Sequence, residues 1–543
     1  MAQPYRSSAA LLLLALAACN HSRTAAVQPT SAPAFVGDVA IAANTNPWVP
    51  QAAVLSLETD VATQVELRID DGQRIWNVVA DATFATAHPR VPVVGLRADR
   101  DHVIDVTVRG ANGATTKAPQ SLHFTTPPLP AGFPPLRVDT SLPQYAETGV
   151  RLVSILTNNL GSIPTVIDTT GEVLWYLDAS KTPLFGSQVM AFPMQNGNLM
   201  LIGAWRVMVE VDLLGDIRSL FLASGLTGAQ PGIASIDTDS FHHDFVEMPA
   251  GSGADFAVLG TERRSFPDYP VDVLTPTAPT APADVIGDEI VEFNRDGTVV
   301  RRFRLFDLLD PYRVTYDSLG NFWDSVYGIS TRDWSHANAL VLDHASDSWI
   351  VSLRHQDAVV KIGRQTGAIE WICGDHGRWN APWNQHLLTP VGVGFEWHYH
   401  QHAPELQPDA SIMMFDNGNG RAIPPAPLLP AAQAYSRAVR YRIDAAARTV
   451  EQVWAYGGPP GTGQPSFYSF FVSSAYHMPN TGNVLVCDGG KPAGNGQMFA
   501  RLFEVTTEPL PQVVFDCTIG DGTGAGGESY FAYRAYRLPG LYR

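Results

Sequence analysis

The sequence VVKIG at residues 359–363, followed by GAIEW at residues 367–371, decides the fold. Two short runs rich in β-branched and aromatic residues, separated by Gly and polar residues, are typical of antiparallel strands joined by a hairpin. Repeated hairpins of this kind predict a β-propeller, which hides its sheet edges by closing into a ring. Five further copies make a six-bladed propeller over residues 150–543 the expected architecture, and they begin at Thr165, Val209, Ile290, Val439 and Leu502.

Residues 35–127 also alternate between apolar and polar side chains, as in QVELRI at 64–69 and DHVIDVTV at 101–108. Turn residues bound each run, which predicts a small N-terminal β-sandwich. The proline-rich start of residues 128–149 indicates a stiff linker between this domain and the propeller. The predicted fold class is therefore all-β, with a sandwich preceding a propeller.

The composition excludes several classes of protein. Of 543 residues, 45% are hydrophobic and 16% are charged, which argues against disorder and against a coiled coil. The net charge of −17 has the wrong sign for a polyanion ligand, so we expect no nucleic-acid partner.

The N-terminus predicts export. Arg6 precedes the apolar run Ala10–Ala18, which is too short to cross a bilayer, so residues 1–19 have the layout of a secretory signal. The letters LAAC, which end at Cys19, are similar to the bacterial lipobox and imply cleavage before this cysteine and its acylation; an ordinary signal peptide is the alternative. Residues 20–34 then form a flexible tether. We therefore expect a periplasmic lipoprotein whose membrane contact is confined to the N-terminal lipid anchor.

Three cysteines follow Cys19, namely Cys373, Cys487 and Cys517. In an oxidising compartment this odd number allows at most one internal disulfide. Cys487 and Cys517 are the nearest pair, and buried thiols are the alternative. The sequence has no C-x-x-C motif, which argues against a thiolate metal site.

Three histidines occupy one recurring place in the repeat. His243, His336 and His402 each enter a strand that begins a hairpin, and Arg354 follows in the strand opened by His336. Equivalent strand ends line one mouth of a propeller channel. We therefore expect three imidazoles and a guanidinium to meet at one point.

The register distinguishes two neighbouring histidines. The spacing from His243 to Val258 equals that from His336 to Val351, which favours His243 over His242. His242 stays open as the alternative.

These side chains suit one kind of chemistry. A neutral imidazole can attack an electrophile, a second imidazole can move a proton, and an arginine can hold non-bridging oxygens. The set fits transfer of a tetrahedral anionic group such as sulfuryl or phosphoryl.

Six motifs follow one another along the chain. They are FHHD at 241–244, DWSHANA at 333–339, VSLRHQDAVVKI at 351–362, QH at 401–402, FDNGNGR at 415–421 and YRAYRLP at 533–539. In this order they resemble the bacterial aryl-sulfate sulfotransferases, over roughly residues 150–543. The resemblance does not extend to the N-terminal sandwich.

The resemblance implies a ping-pong transfer of sulfuryl from an aryl sulfate to a phenolic acceptor. It implies a sulfo-histidine intermediate, with neither a nucleotide sulfate donor nor a cofactor. By motif, His402 is the nucleophile, His336 and Arg354 bind the sulfuryl oxygens, and His243 transfers the proton. Asn338 and His242 are the further candidates for substrate binding, Asn338 by orienting a neighbour. The oligomeric state, a homo-oligomer included, is left open.

Two other functions compete with this interpretation. His398, His400 and His402 are spaced by two, so on an extended segment they share a face, and with His243 and His336 they would form a histidine-rich metal site. That would indicate a metal-dependent hydrolase. A surface-anchored propeller that binds a partner without catalysis is the second alternative.

Overall fold

The computed structural model describes residues 31–186, 188–277, 279–523 and 526–542. The predicted signal, Cys19 and the tether up to residue 30 lie outside the described residues. Within them nearly all regular structure is β, which confirms the all-β prediction. None of the helices found among these residues is long and apolar enough to cross a membrane.

The N-terminal strands form one six-stranded sheet around a single apolar core. The long β2 joins them all, because its first half pairs with β1, its second half pairs with β4, and β3 follows it over its whole length. The strands are β1 (Ala40–Ala43), β2 (Ala53–Asp70), β3 (Ile75–Val93), β4 (Asp101–Gly110), β5 (Thr115–Lys117) and β6 (Leu122–Thr125).

The chain continues through twenty-eight further strands in the described residues. The first half comprises β7 (Leu136–Ser141), β8 (Val150–Thr157), β9 (Gly161–Ile167), β10 (Val173–Tyr176), β11 (Val189–Pro193), β12 (Leu199–Gly203), β13 (Val207–Val211), β14 (Ile217–Ala223), β15 (Ala234–Ile236), β16 (His242–Glu247), β17 (Phe256–Pro270), β18 (Thr280–Phe293), β19 (Val299–Arg304) and β20 (Thr331–Asp333).

The second half comprises β21 (Ala337–Asp343), β22 (Ser348–Leu353), β23 (Ala358–Gly363), β24 (Ile369–Gly374), β25 (Thr389–Val391), β26 (His402–Leu406), β27 (Ile412–Asp416), β28 (Arg437–Asp444), β29 (Thr449–Tyr456), β30 (Ser474–His477), β31 (Val484–Pro492), β32 (Met498–Val505), β33 (Val513–Ile519) and β34 (Tyr530–Leu538). Short helices interrupt them at α1 (Leu305–Leu308) and α2 (Asp324–Tyr327) and at the 3-10 turns Ala179–Lys181, Pro183–Phe185, Arg354–Gln356, Trp383–His386 and Ala431–Gln433.

From β8 onward the described strands build six sheets, each with four antiparallel strands at its centre. Five sheets take consecutive strands, starting at β11, β16, β21, β26 and β30, and the sixth has the order β34-β8-β9-β10. The six hairpins read from the sequence are the third and fourth strands of these sheets. Apolar side chains fill the spaces between neighbouring sheets.

The sheets follow one another around a ring. The first strands β16, β21, β26, β30 and β34 lie against each other in this order, and β34 also contacts β11 of the next sheet, whose β12 contacts β16. Closure depends on β34, which comes from the end of the chain and pairs with β8. The first strand of every sheet therefore lies next to the axis of the ring.

The segment predicted as a linker contains β7. This strand pairs antiparallel with β33 at the outer edge of the last sheet, so residues 136–141 belong to the ring. The joint to the N-terminal domain lies before it.

Polar contacts fix the N-terminal domain against the ring. Gln51 donates to a carbonyl of β10 (2.9 Å), and Arg97 lies 3.6 Å from Glu172. The hydroxyl of Tyr542, near the end of the chain, accepts from the main-chain amide of Val94 (2.8 Å). The last described residues therefore pack against the N-terminal domain.

Cys373, Cys487 and Cys517 are buried free thiols. Cys487 and Cys517 both pair with Leu502, from the strands on either side of it. Two strand spacings separate them by about 10 Å, too far for a disulfide. The pairing considered from the sequence does not form, and the alternative of buried thiols is correct.

A buried ion pair joins the last sheet to the first. Glu504 accepts from Arg151 at 2.9 Å, and both side chains are 0% exposed. The second oxygen of Glu504 accepts from the amide of Asn483 (2.7 Å) and the main-chain N–H of Glu147 (2.6 Å). These hydrogen bonds replace the water that both charges lose on burial.

Glu504→Ala should lower the free energy of unfolding by about 3 to 5 kcal/mol, because it leaves the buried Arg151 without a counter-ion. The matched control is Glu451→Ala, which removes an exposed pair with Arg442 (3.2 Å) and should cost less than about 1 kcal/mol. Urea unfolding of both variants measures the difference. Equal losses would show that the buried pair does not stabilise the junction.

Candidate active site

A cavity of about 300 Å³ lies where the innermost strands begin. Each of the six sheets contributes residues from its innermost strand or from the segment just before it, so the ring itself forms the cavity. The contributing residues are Phe531 and Tyr533, Val189 and Met190, His243, His336, His402, and Val472.

The predicted catalytic side chains meet in this cavity. His243, His336, His402 and Arg354 all line it, and the rings of His243 and His336 are 4.9 Å apart between centroids. His355, to which the sequence analysis assigned no role, lines it as well.

The backbone at the strand starts explains why these side chains point inward. Residues with positive φ recur there, at His243 (58°), His336 (46°), Ala403 (51°) and Ser473 (89°). The first three accompany register shifts at the starts of β16, β21 and β26. Such bulges redirect a side chain at a cost in backbone strain, and they concentrate at functional sites.

His402 has a fixed tautomer. Its Nδ1 lies 2.7 Å from Oδ1 of Asn417, whose amide nitrogen donates to the carbonyls of Ser469 (2.8 Å) and Val472 (3.2 Å). Because Oδ1 can only accept, Nδ1 of His402 carries the proton. The lone pair is therefore on Nε2, which has no hydrogen-bond partner in the described part of the chain. Sequence analysis assigned Asn417 no role, although it lies in the quoted FDNG motif.

His336 is oriented by a carboxylate. Its Nδ1 lies 2.5 Å from Oδ2 of Asp333, and the indole of Trp323 donates to the other oxygen (3.1 Å). An aspartate on Nδ1 fixes the ring and supports a positive charge when Nε2 takes up a proton. Asp333 opens the DWSHANA motif, but without a structure nothing separated it from an ordinary turn residue.

His242 and His243 are neighbours in sequence, but only His243 lines the cavity. His242 points away from the cavity, with Nε2 3.2 Å from the carbonyl of Gly260 and 3.3 Å from Asp288. Its Nδ1 therefore accepts from Nδ1 of His243 at 2.8 Å, which puts the lone pair of His243 on Nε2. His243 lines the cavity and His242 supports it from behind.

Arg354 is buried, and two hydrogen bonds hold its guanidinium. Nη1 lies 2.5 Å from Nε2 of His355, and Nη2 donates to the carbonyl of Phe470 at 3.2 Å. The partly exposed Asp317 is 3.7 Å away. These two hydrogen bonds leave a second N–H on each terminal nitrogen, so the guanidinium keeps donor capacity for an anion in the cavity that it lines.

Burial sets the charge state of the cluster. It lowers the pKa of His243 and of His402 well below the ordinary value; Arg534 adds to the effect at both histidines, and Arg354 adds to it at His402. Burial and the charge of Arg354 lower the pKa of His336 to about 3. The cavity therefore presents neutral bases beside a guanidinium at neutral pH.

Asn338 lies behind the cavity wall and does not line it. Its amide donates to the carbonyl of Gln401 at 2.7 Å, which fixes the main chain just before His402. The main chain at His243 is fixed in a similar way, because the hydroxyl of Tyr533 donates to its carbonyl at 2.7 Å. The structure thus gives Asn338 a contact that orients its neighbour.

Aromatic side chains form the remaining walls. On one side the rings of Trp205 and Phe322 meet edge-on at 5.4 Å, and on the other side Phe471 contacts Phe470 (4.6 Å) and Phe531 (5.4 Å). Offset and edge-on contacts of this kind suit another aromatic ring. The walls therefore fit an aryl group above the histidines.

The three histidines proposed as metal ligands do not converge. His398 bonds the side chain of Gln401, His400 lies between Asp317 and Asp357, and His402 faces the cavity. The described residues contain one group with ligand atoms close enough for a metal ion, formed by Asp333, His336 and His355. Within that group Nδ1 of His336 is already hydrogen-bonded to Asp333.

Comparison with known proteins identifies the family. The family model for arylsulfotransferase (ASST) matches residues 137–524, which is more than half of the chain. The protein belongs to the arylsulfotransferase family, and the resemblance inferred from the motifs is confirmed. The match begins in β7 and ends before β34, so it covers the ring except for its last strand and leaves out the N-terminal sheet.

Two similar proteins are both named arylsulfate sulfotransferase AssT. The chain is 32% identical over 254 residues to the arylsulfate sulfotransferase AssT of Escherichia coli O6:H1, covering 38% of this chain and 41% of that protein. It is 30% identical over 228 residues to AssT of Lelliottia amnigena, covering 35% and 37%. The aligned part thus spans about two fifths of these relatives' length. Among solved structures, a Bacteroides caccae protein of unknown function is similar over 72% of this chain and 98% of its own, with 11% identity and a TM-score of 0.37.

We expect the cavity histidines to stay neutral in mildly acidic solution, because burial lowers their pKa values. Nitrogen-15 spectra of histidine-labelled protein, assigned with His402→Gln, should show His402 as the Nδ1–H tautomer from pH 7.5 to 5.5. The unfolded protein in urea should titrate near the ordinary value of about 6.5. A midpoint near that value in the folded protein would contradict the assignment.

Proposed function

We propose that the protein transfers a sulfuryl group from an aryl sulfate to a phenol through a covalent intermediate on His402. The observation that carries this proposal is the Nε2 lone pair of His402, fixed by Asn417 and facing a cavity that also holds Arg354. A neutral imidazole beside a guanidinium suits attack on an anionic sulfur centre.

In the first half-reaction, Nε2 of His402 donates its electron pair to sulfur while the bond from sulfur to the aryl oxygen breaks. The phenolate leaves with that electron pair. Arg354 and His336 hold the non-bridging oxygens, and the anionic ester offsets the charge of Arg354, which raises the pKa of His336 and lets Nε2 donate a hydrogen bond.

In the second half-reaction, His243 removes the proton of the incoming phenol, and the phenol oxygen displaces the nitrogen of His402 from sulfur. Because burial keeps resting His243 neutral, it passes this proton on to solvent, and the phenolate released in the first half-reaction takes up a proton from solvent. Protons therefore balance over a cycle, and the route uses neither a nucleotide donor nor a metal ion.

The walls of the cavity support a phenolic acceptor. Trp205, Phe322, Phe470 and Phe471 enclose the space above the histidines and leave little polar surface to hold water. A sulfo-histidine formed there is protected from hydrolysis until an aromatic acceptor fills the cavity.

We further propose that the chain is exported and anchored through lipidated Cys19. The support is the LAAC sequence after a short apolar run. Mass spectrometry of the mature N-terminus from membranes tests it, and recovery of an unlipidated protein cleaved elsewhere would contradict it.

Protein lacking residues 1–19 should release nitrophenol from 4-nitrophenyl sulfate, faster when phenol is added. His402→Ala should lower the rate by at least about 1000-fold, because the nucleophile is lost. The exposed His344→Ala is the matched control and should leave the rate unchanged.

Three outcomes of that assay distinguish the candidate functions. Protein given donor alone and quenched in alkaline denaturant, which preserves a bond from imidazole nitrogen to sulfur, should carry one SO₃ group on the peptide that contains His402. Loss of activity in EDTA with recovery on adding metal would favour the metal-dependent hydrolase. No turnover of any aryl sulfate would favour the non-catalytic binding propeller.

Asn417→Ala should lower kcat by about 10- to 100-fold with the fold intact, because His402 loses the acceptor that fixes its tautomer. The change should appear in the formation of the sulfo-histidine, followed by rapid quench. An unchanged rate of sulfation would show that Asn417 does not set the nucleophile.

A further inference from the structure

We infer that His355 is a positioning residue that aims the Arg354 guanidinium into the cavity. The inference rests on the proposed anion-binding role of Arg354 and adds a residue to which neither the motifs nor the comparisons assign a task. His355 lies in the single turn Arg354–Gln356 that ends β22, so the two side chains are adjacent in sequence and in space.

The direction of each hydrogen bond follows from the chemistry of the partners. Nδ1 of His355 lies 2.7 Å from the main-chain carbonyl of Asp333, which can only accept, so Nδ1 carries the proton. Nε2 of the neutral ring then holds a lone pair. It faces Nη1 of Arg354 at 2.5 Å, and an arginine can only donate.

The ring itself has little freedom to move. It is buried, and it stacks on His336 with centroids 4.6 Å apart and planes 28° apart. The hydroxyl of Ser318 donates to the carbonyl of His355 at 3.2 Å, and that of Thr315 donates to it as well. The rigid imidazole of His355 therefore provides a fixed hydrogen-bond acceptor for one terminal nitrogen of the flexible Arg354 side chain.

The environment keeps this acceptor neutral. Burial lowers the pKa of His355 to about 3, with the carboxylate of Asp333 opposing the shift and the charge of Arg354 adding to it. A protonated His355 would present an N–H to the guanidinium and would repel it. Neutral His355 thus fixes one Nη of Arg354 and the carbonyl of Phe470 fixes the other, which holds the guanidinium in one orientation at the wall of the cavity.

Three variants separate positioning from simple support. His355→Leu keeps a similar volume and removes the acceptor, His355→Gln keeps an acceptor oxygen near the place of Nε2, and Arg354→Ala removes the cation. The probe is benzenesulfonate, which presents three sulfur-bound oxygens on an aromatic ring and has no aryl oxygen to leave. Calorimetric titration measures its Kd for each variant, with melting temperatures to confirm folding.

We expect His355→Leu to weaken benzenesulfonate binding by about 10- to 100-fold, the effect of losing one hydrogen bond to a charged group. His355→Gln should recover most of the loss, and Arg354→Ala should weaken binding at least as much as His355→Leu. The double variant should be no weaker than Arg354→Ala alone, because His355 acts through the arginine. The exposed His344→Leu is the matched control.

Several results would overturn the inference. One is wild-type affinity for benzenesulfonate in a folded His355→Leu variant, and another is an equal loss of affinity in His355→Leu and His355→Gln. The inference would also fail if the losses from His355→Leu and Arg354→Ala added in the double variant, or if the wild-type protein did not bind benzenesulfonate. The proposed function fails separately, because a protein that binds benzenesulfonate through Arg354 but transfers no sulfuryl group would retain this positioning role.

In active protein, the rescue of Arg354→Ala by added guanidine gives a second test. Rescue should require His355 and disappear in the double variant with His355→Leu, because the free cation needs the same acceptor. Equal rescue in both would contradict the inference.

Discussion

The pairing of β34 with β8 is the constraint on which the structure depends. It converts a row of sheets into a closed ring and removes the free edges that a row would leave. Once closed, the ring places the start of every innermost strand at the same end of its axis. The cavity is thus a consequence of topology, and each sheet needs to supply only one or two side chains to complete it.

His402, His336 and His243 are all neutral imidazoles with the proton on Nδ1, and a different partner holds each of them in this state. Nδ1 of His402 bonds an amide oxygen, that of His336 bonds a carboxylate and that of His243 bonds another imidazole. In each case Nε2 is left facing the cavity. The partners then determine how each ring responds to a proton: the carboxylate of Asp333 favours a positive His336, and the neutral amide of Asn417 keeps His402 a nucleophile. Their differing surroundings separate the roles of identical side chains.

The sequence alone could predict the elements that repeat. The spacing of the hairpins predicts the third and fourth strands of the sheets, and the recurring position of His243, His336 and His402 at strand starts predicts that they meet. Individual side-chain contacts and the pairing of edge strands carry no such signal. Asn417 directly follows β27, the strand paired with β26, and only the structure shows that it contacts His402. His355 becomes an acceptor only through the carbonyl of Asp333, and β7 lies in a stretch whose prolines indicate a linker. Asn338 is a further example, because its motif marks it as a candidate for substrate binding but does not show that it lies behind the cavity wall and bonds the main chain of Gln401.

The closure of the ring also determines whether the site is complete. Tyr533 and Arg534 belong to β34, and they hold the main chain behind His243 and Asn338. A proteolytic cut just before β34 would therefore open the ring and remove the support behind two of its strand starts together. The site belongs to the closed ring as a whole, and no single sheet carries it.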